Sequence, residues 1–451
     1  MLEAERPLKI QKRVCEDRIS SLSDDLLLQI LLLLPTKEAV ATTLLSKRWR
    51  YVWTMLPRLD YKETDSDRKS VWWLLDQSMR LYDAPILESL CIELGSQCPV
   101  DVDVVNWVAK AVDCCVRNII FKLRWESERI RMPKTLYTCK TLVRLVLCGK
   151  IIVDVPSPVS LPSLEKLELL RVAYKDEESH VRLLSGCPVL THLDVLRCAG
   201  RDRSGKDRYG GDNVRKFSVK VPSLLNFKYT FWQVNEEETN WSLVIDTPAL
   251  KFLCILYLWG SSSFSTEYMP HLVHASISVK FYPDDNLLRS LASINYLQLF
   301  LNDPMVPWWN AVNYSRLIEC RIRCFDPDEC ESLVVLLSNC PQLKVFMVES
   351  MSKTDRLENH VPVLWNQPSS VPKCLSSRLE WFRWTGYAGR EDEKELIRYI
   401  VEHSKCLKKA EVYLNFSCDP EEKQKMAEEL KSMPKMLTSV LKPDPPAHWD
   451  W

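Results

Sequence analysis

The sequence predicts an α/β solenoid: short parallel strands stacked side by side, entered through a small three-helix unit and closed by a helical cap. Three observations carry this expectation. One six-residue phrase, apolar-x-x-apolar-x-apolar, occurs thirteen times between Leu87 and Val412, with starts 22 to 36 residues apart. Segments between the phrases, such as 104–115 and 181–184, place apolar residues at helical spacing. At 451 residues the chain also exceeds what one ordinary core can organise, so several domains or a repeating array are required.

Residues 17–53 supply the N-terminal helices. Ser23 is placed to cap the first, and Asp24 and Asp25 follow where negative charge favours the helix dipole. Leu26, Leu27, Ile30, Leu31 and Leu34 repeat at helical spacing until Pro35 stops the helix. Thr36 is expected to cap a second helix (37–45), and Ser46 a third that carries Trp49 and Trp53. Helices this short are marginal alone, and so few residues make a poor core. The surplus apolar surface therefore points to a docking face for a partner; the alternative is packing on the rest of the chain.

The residues in that stretch carry a resemblance. The order D-R-I-S-S-L (17–22), D-D-L-L-L-Q-I-L (24–31), L-P-T-K-E-A-V (34–40) and L-S-K-R-W-R-Y-V-W (45–53) resembles a plant F-box. Ser23 and Asp25 stand where that family usually has Pro and Glu; both exchanges preserve a helix start. The resemblance implies docking onto the adaptor subunit of a cullin-based, SCF-type ubiquitin ligase. The docking residues would be Leu22, Leu26, Leu27, Ile30, Leu31, Leu34, Pro35, Val40, Leu44 and Leu45, with Trp49 and Trp53 anchoring the third helix to its neighbours.

Next comes an amphipathic helix, Val71 to Leu75 with Met79 and Tyr82, expected to seal the first strand of the stack. The phrases then begin at Leu87, Val116, Leu142, Leu164, Leu190, Leu224, Leu250, Leu272, Ile294, Leu317, Leu343, Leu379 and Leu407. Most intervals fall in or near the ~20–29 residues of leucine-rich repeats. The fourth and sixth positions should point inward and build one continuous core. Pro162, Pro222 and Pro248 each precede a strand, where a missing N–H breaks no ladder. Helices over 391–403 and 420–433 should cover the far end.

The C-terminal block is similar to the FBD module of plant F-box proteins. Pro372, Cys374, Leu375, Leu379, Phe382, Tyr387, Gly389, the helix 395–399 and Leu407 to Lys409 carry the match, while 435–451 lack the family's closing strand. The expected organisation is a tail (1–15), F-box (16–60), capping helix and linker (61–86), leucine-rich-repeat solenoid (87–360), FBD-like repeats (361–435) and a second tail (436–451). Charged, aperiodic insertions at 199–213 and 349–372 (which holds Trp365) read as surface loops or linkers.

In leucine-rich repeats the third, fifth and seventh positions of the phrase face the concave side. The early repeats offer residues such as Arg144, Lys166, Glu168, His192 and Asp194. The later half is richer in aromatics and arginine, the residue types that dominate binding energy. Phe252, Tyr296, Phe300, Arg321, Arg323, Trp381 and Arg383 are the expected contacts for a target protein. The alternative is that the arginines merely pair with Glu319 and Glu349.

Composition limits the remaining classes. Formal net charge is zero, so no general attraction to nucleic acid or anionic membrane is expected. With ten glycines, and neither G-x-x-x-x-G-K-[ST] nor G-x-G-x-x-G, phosphate loops are not expected. Seventeen cysteines lack a framework spacing and no apolar leader begins the chain, so reduced thiols in the nucleus or cytoplasm are expected. Cys320, Cys324, Cys330 and Cys340 match no paired zinc scheme, and His271 and His274 lack a third ligand. No cofactor, metal or catalytic centre is therefore expected. The leading reading is a substrate receptor of a ubiquitin ligase. Its rivals are a binding scaffold that delivers no ubiquitin, separable by co-purification of cullin, and a receptor that needs a small anionic ligand near its concave arginines.

Overall fold

The computed structural model describes residues 19, 21–63, 71–95, 103–124, 128–199, 213–233, 241–257, 262–278, 284–301, 310–324, 330–350, 368–415 and 420–431. At the N-terminus, α1 (Asp24–Leu31) starts as expected, the Ser23 hydroxyl accepting the Leu26 N–H at 3.4 Å. Helix α2 (Thr36–Ala41) and helix α3 (Trp49–Val52) each run into a 3-10 turn. Their caps differ from the expectation. Thr36 is buried, and its hydroxyl accepts the Asp60 N–H at 2.8 Å, tying α2 to the first strand instead of to its own first turn. Arg48, not Ser46, occupies the N-cap of α3. It reaches back across the unit, Nε donating to Asp24 Oδ1 at 2.7 Å and Nη2 to the Leu22 carbonyl at 2.6 Å. Helices too short to stand alone are thus held by cross-links between them.

Fourteen parallel strands lie side by side in chain order and form the main sheet. They are β1 (Arg58–Lys62), β2 (Ser89–Leu94), β3 (Asn118–Leu123), β5 (Arg144–Gly149), β7 (Lys166–Leu170), β9 (His192–Ala199) and β11 (Asn226–Gln233). The series continues through β13 (Phe252–Tyr257), β15 (His274–Ser278), β16 (Tyr296–Leu301), β17 (Glu319–Cys324), β18 (Val345–Ser350), β19 (Trp381–Tyr387) and β20 (Lys409–Leu414). All thirteen phrases are strands. The stack also begins one strand earlier than expected: Leu56-x-x-Leu59-x-Tyr61 repeats the phrase, and Leu59 and Tyr61 pair with Leu90 and Ile92. The N-terminal unit is therefore not a separate knob but is built onto the sheet. Helix α4 (Trp72–Leu81) connects β1 to β2, buries Leu75 and Met79, and leaves Trp73 exposed. Tyr82 closes the junction by donating to the Leu56 carbonyl at 2.9 Å.

Register is strict. Leu145, Leu167, Leu193, Phe227, Leu253 and Ala275 are successive partners across β5 to β15, and each is buried. A one-residue slip would turn every such side chain to water, and each large one is worth about 1.5–3 kcal/mol when buried. The close approach of strands shows at Gly149, φ +89°, where a Cβ would lie 2.0 Å from the Leu123 carbonyl oxygen.

Helices α5 (Val104–Asp113) and α6 (Ser179–Ser185) back the sheet where helical spacing predicts them. The middle of the outer side was not expected: it holds two three-stranded parallel sheets. One contains β4 (Ile130–Arg131), β6 (Ile151–Val153) and β8 (Ala173–Tyr174); the other contains β10 (Lys216–Lys220), β12 (Trp241–Asp246) and β14 (Ser262–Thr266). Asn213 joins them as a strand residue would: its Oδ1 accepts the Tyr174 N–H at 3.0 Å and its Nδ2 donates to the Tyr174 carbonyl.

His180 of α6 covers the start of β10. Its ring stacks on Phe217 at 4.3 Å, and Nε2 accepts the Ser218 N–H at 2.9 Å. Burial, helped by the Arg197 charge, lowers its pKa to about 4 against weaker opposition from Glu177 and Asp176. The folded form thus resists a proton that the unfolded chain accepts from about pH 6.5 downward. This stability is complete above that pH and should fall by about 3 kcal/mol as pH drops to 4. Denaturant titrations at pH 7 and 4 should show that His180→Gln, which keeps an acceptor for Ser218, loses this share of the pH dependence.

Of the two helices expected to cover the far end, Glu391–His403 instead joins β19 to β20 and Pro420–Lys431 follows the last strand, while a short helix that the sequence reading did not include, Lys373–Ser377, precedes β19. Glu393 is fully buried and its Oε2 accepts the Ala388 N–H at 3.0 Å, fixing the loop that enters the long helix. Both predicted tails, Trp365 and most of the two insertions lie outside the described residues.

Candidate functional site

Two faces are candidates. On the N-terminal unit, Leu26, Ile30, Leu34, Leu44 and Leu45 are exposed, Leu44 at 90% and Leu45 at 67%. Pro35 is exposed as well, and Leu22 and Val40 are half-buried. Leu27 and Leu31, expected to dock, are instead buried at 1% and 0%. They belong with Ala39, Trp49, Val52 and Trp53 to the common core, because the stripe of α1 is wider than one face and its inner half is taken up internally. Ile19, Leu32, Leu33, Tyr51 and Met55 add exposed apolar area that the sequence reading omitted. So much bare apolar surface on a short unit marks an interaction site.

The second face is the polar side of the main sheet. Successive partners on the third position run Phe252, His274, Tyr296, Glu319, Val345, Trp381 and Lys409. The predicted target contacts therefore lie on β13 to β19 of one continuous surface. Their rings form ladders: Phe252 to His274 at 6.3 Å and His274 to Tyr296 at 5.5 Å. Each predicted arginine sits over a ring, Arg321 over Tyr296 at 5.6 Å, Arg323 over Phe300 at 5.0 Å and Arg383 over Trp381 at 4.9 Å. Each also pairs with a carboxylate, Arg321 with Glu319, Arg323 with Glu349 and Arg383 with Glu411. The alternative pairings were thus correctly foreseen at Glu319 and Glu349, while Glu411 was missed. Burial would raise the Glu411 carboxyl, but hydrogen bonds from Lys409, Arg383 and Trp381 outweigh it and hold the pKa below the usual range. Glu411 thereby positions Trp381, whose Nε1 donates to it at 3.0 Å.

A hollow of about 520 Å³ opens on the same face between β5 and β13. Arg144 and Lys166 bound one end and Phe252 the other, with His192 and Asn226 between them. Asn226 Nδ2 donates to His192 Nε2 at 3.0 Å. The Thr191 hydroxyl donates to the Glu165 carbonyl at 3.1 Å and so accepts from His192 Nδ1 at 2.8 Å. Burial and the Lys166 charge lower the pKa of this ring. Glu168, paired with Arg144 at 2.7 Å, and Asp194, 3.5 Å from Lys228, line the floor. Asn226 and Lys228 occupy the third and fifth positions of the Leu224 phrase, a signal that was present but not read onto this face.

Cys139, Cys187, Cys320 and Cys340 are buried, and burial raises Cys187 to about 12, so these thiols pack as apolar side chains. Among the described residues no three His, Cys, Asp or Glu side chains are grouped to hold a metal, and no helix is long and apolar enough to cross a membrane.

A bare apolar ridge on a short helical unit, fused to a parallel-strand solenoid with a helical cap, defines an F-box protein of the leucine-rich-repeat class. The F-box domain family matches residues 19–61, the LRR repeats of an FBD-associated F-box protein (At5g56370) match 104–276, and FBD matches 367–412. An F-box/FBD/LRR-repeat protein of Arabidopsis thaliana (At3g49480) is 54% identical over 96% of this chain and 97% of its own. An FBD-associated F-box protein (At1g05080) of that plant is 44% identical over 96% and 98%, and a further F-box/FBD/LRR-repeat protein (At1g22000) 46% over 95% and 91%. The chain belongs to the plant F-box/FBD/LRR-repeat family. F-box/LRR proteins are in general non-catalytic adaptors, and the F-box domain implies an SCF adaptor and, through it, cullin.

Proposed function

We propose that this chain is the substrate-recognition subunit of an SCF-type E3 ubiquitin ligase. The N-terminal ridge docks on the adaptor and, through it, on cullin; the polar sheet face holds a target protein. The chain performs no bond chemistry. Its contribution is positional, raising the effective concentration of target lysines near activated ubiquitin.

The observation that carries this reading is the exposed ridge of Leu26, Ile30, Leu34, Leu44 and Leu45, left bare although the unit is joined to a large core that could have covered it. The test is reconstitution: the full chain mixed with a plant SCF adaptor and cullin should elute as one complex in size-exclusion chromatography. Separate elution of a folded chain would overturn the docking role.

For the target, the proposed contacts are Phe252, Tyr296, Phe300, Arg321, Arg323, Trp381 and Arg383. Truncating a central aromatic typically costs an interface 2 kcal/mol or more. Trp381→Ala or Tyr296→Ala should therefore weaken capture of a target, once one is in hand, about thirtyfold or more without lowering the melting temperature of the chain. Full capture by a folded Trp381→Ala chain would remove the patch from the interface.

A further inference from the structure

We propose that the hollow between β5 and β13 takes an extended peptide segment of the target that carries a carboxylate or phosphate side chain at one end and a large apolar side chain at the other. This rests on the reading of the sheet face as the target-binding surface, and adds where and by what chemistry the target is read.

Charge is the first argument. From β1 to β13 the third-position row is Arg58, Ser89, Asn118, Arg144, Lys166, His192, Asn226 and Phe252, with no carboxylate on it. Beneath the row, Glu168 and Asp194 are engaged by Arg144 and Lys228. Lys166 is exposed, and its ammonium has no ion-pair partner among the described residues. An anionic group is what this end lacks, and Arg144 stands beside it on the neighbouring strand.

Shape is the second. His192 and Asn226 are bound to each other and held down, so the surface dips between the longer side chains at either end. The other apolar residues along the dip, Leu167, Leu193 and Phe227, are buried, so the exposed apolar side chain is Phe252, a residue 37% exposed whose ring leans on the His274–Tyr296 ladder. Both ring nitrogens of His192 are taken up by Asn226 and Thr191, but the Asn226 amide keeps a second N–H and its carbonyl oxygen, which suit a peptide backbone that offers both donors and acceptors. Lys166 and Phe252 are three strand spacings apart, roughly 14 Å at the usual separation of paired strands. An extended peptide rises about 3.3 Å per residue, so its anionic and apolar side chains should lie about four residues apart.

The experiment is an oriented peptide-library selection on the full chain, with degenerate octapeptides in which Asp, Glu, phosphoserine, Lys and each apolar residue are varied by position. The wild-type chain should enrich an acidic or phosphorylated residue about four positions from Leu, Ile, Phe or Trp by at least tenfold. Phosphoserine outranking Asp and Glu identifies a phosphorylated target, and the reverse a carboxylate one; either supports the site. Lys166→Glu, an exposed substitution, should invert the charge preference to Lys and Arg while keeping the apolar one; Phe252→Ala should lose only the apolar preference. A wild-type chain with no charge preference, or one unmoved by Lys166→Glu, would overturn the inference. Selection that instead follows Trp381 and Arg383, with adaptor binding intact, would also overturn it while leaving the receptor role standing.

Discussion

Leu44→Asp combined with Leu45→Asp should lower affinity for the SCF adaptor at least a hundredfold, measured by isothermal titration calorimetry with the full chain. Both side chains protrude, at 90% and 67% exposure, so the substitution removes apolar area and places two charges where a partner would have to desolvate them. The melting temperature should stay within a degree or two, because neither residue belongs to the core. Leu31→Asp should lose adaptor binding for a different reason. That side chain is wholly buried in the core that also holds Trp53, and a carboxylate there unfolds the unit. Thermal denaturation separates the two cases. Adaptor binding that survives Leu44→Asp/Leu45→Asp would mean that the ridge serves another purpose.

That contrast shows where reading the sequence stops. Periodicity identified α1 and listed four of its apolar residues, but a helix of eight residues carries no mark of which half of a wide stripe meets its own protein and which half meets another. The inward positions of the repeat were legible because the phrase alternates and all thirteen copies agree. The fourteenth copy, Leu56 to Tyr61, was overlooked because it follows directly on the helical unit, with no turn to separate them. Thr36 illustrates the same limit: its hydroxyl could satisfy a helix start or the Asp60 N–H, and only the tertiary fold decides. The two outer sheets were missed for a further reason. Trp241–Asp246 and Lys216–Lys220 do alternate, but they lie off the repeated phrase, and strands of two to six residues give little periodic signal against the stronger pattern beside them.

The concave surface repeats the lesson at the level of chemistry. Arg321, Arg323 and Arg383 were picked out as aromatic and basic residues available for binding, and the structure finds each already paired with a carboxylate and set over a ring. Such pairs fix the rings and hold the face rigid, and a rigid face loses less freedom when a partner arrives. An exposed cation with no ion-pair partner among the described residues lies elsewhere, at Lys166, in the repeats that composition ranked lower. Counting residue types located the face; only the cross-strand geometry shows which charges are already spent on one another.

Arg197 should prove the costliest single side chain to truncate on the outer side of the solenoid. It is 2% exposed at the end of β9, with Nη1 donating to the Tyr229 hydroxyl at 2.9 Å and Nη2 donating to the Val214 carbonyl. Its guanidinium lies 4.8 Å from the Phe217 ring, 5.3 Å from Phe231 and 5.4 Å from Trp241. One cation thereby joins the main sheet, through β9 and β11, to the outer sheet, through β10 and β12. Arg197→Ala opens a large cavity among three rings and withdraws a charged donor from two buried acceptors, an expected loss of about 3–5 kcal/mol in urea titration. Arg197→Met refills most of the volume with a flexible apolar chain and removes the need to bury a charge, so it should recover a substantial part of that loss. Hydrogen exchange should locate the damage: faster exchange in β10, β12 and β14, with β1 to β3 unchanged, because repeats contact only their neighbours. If Met proved as damaging as Ala, the guanidinium itself would be the essential element; if neither variant moved the midpoint, the aromatic cluster would hold the two sheets together without it.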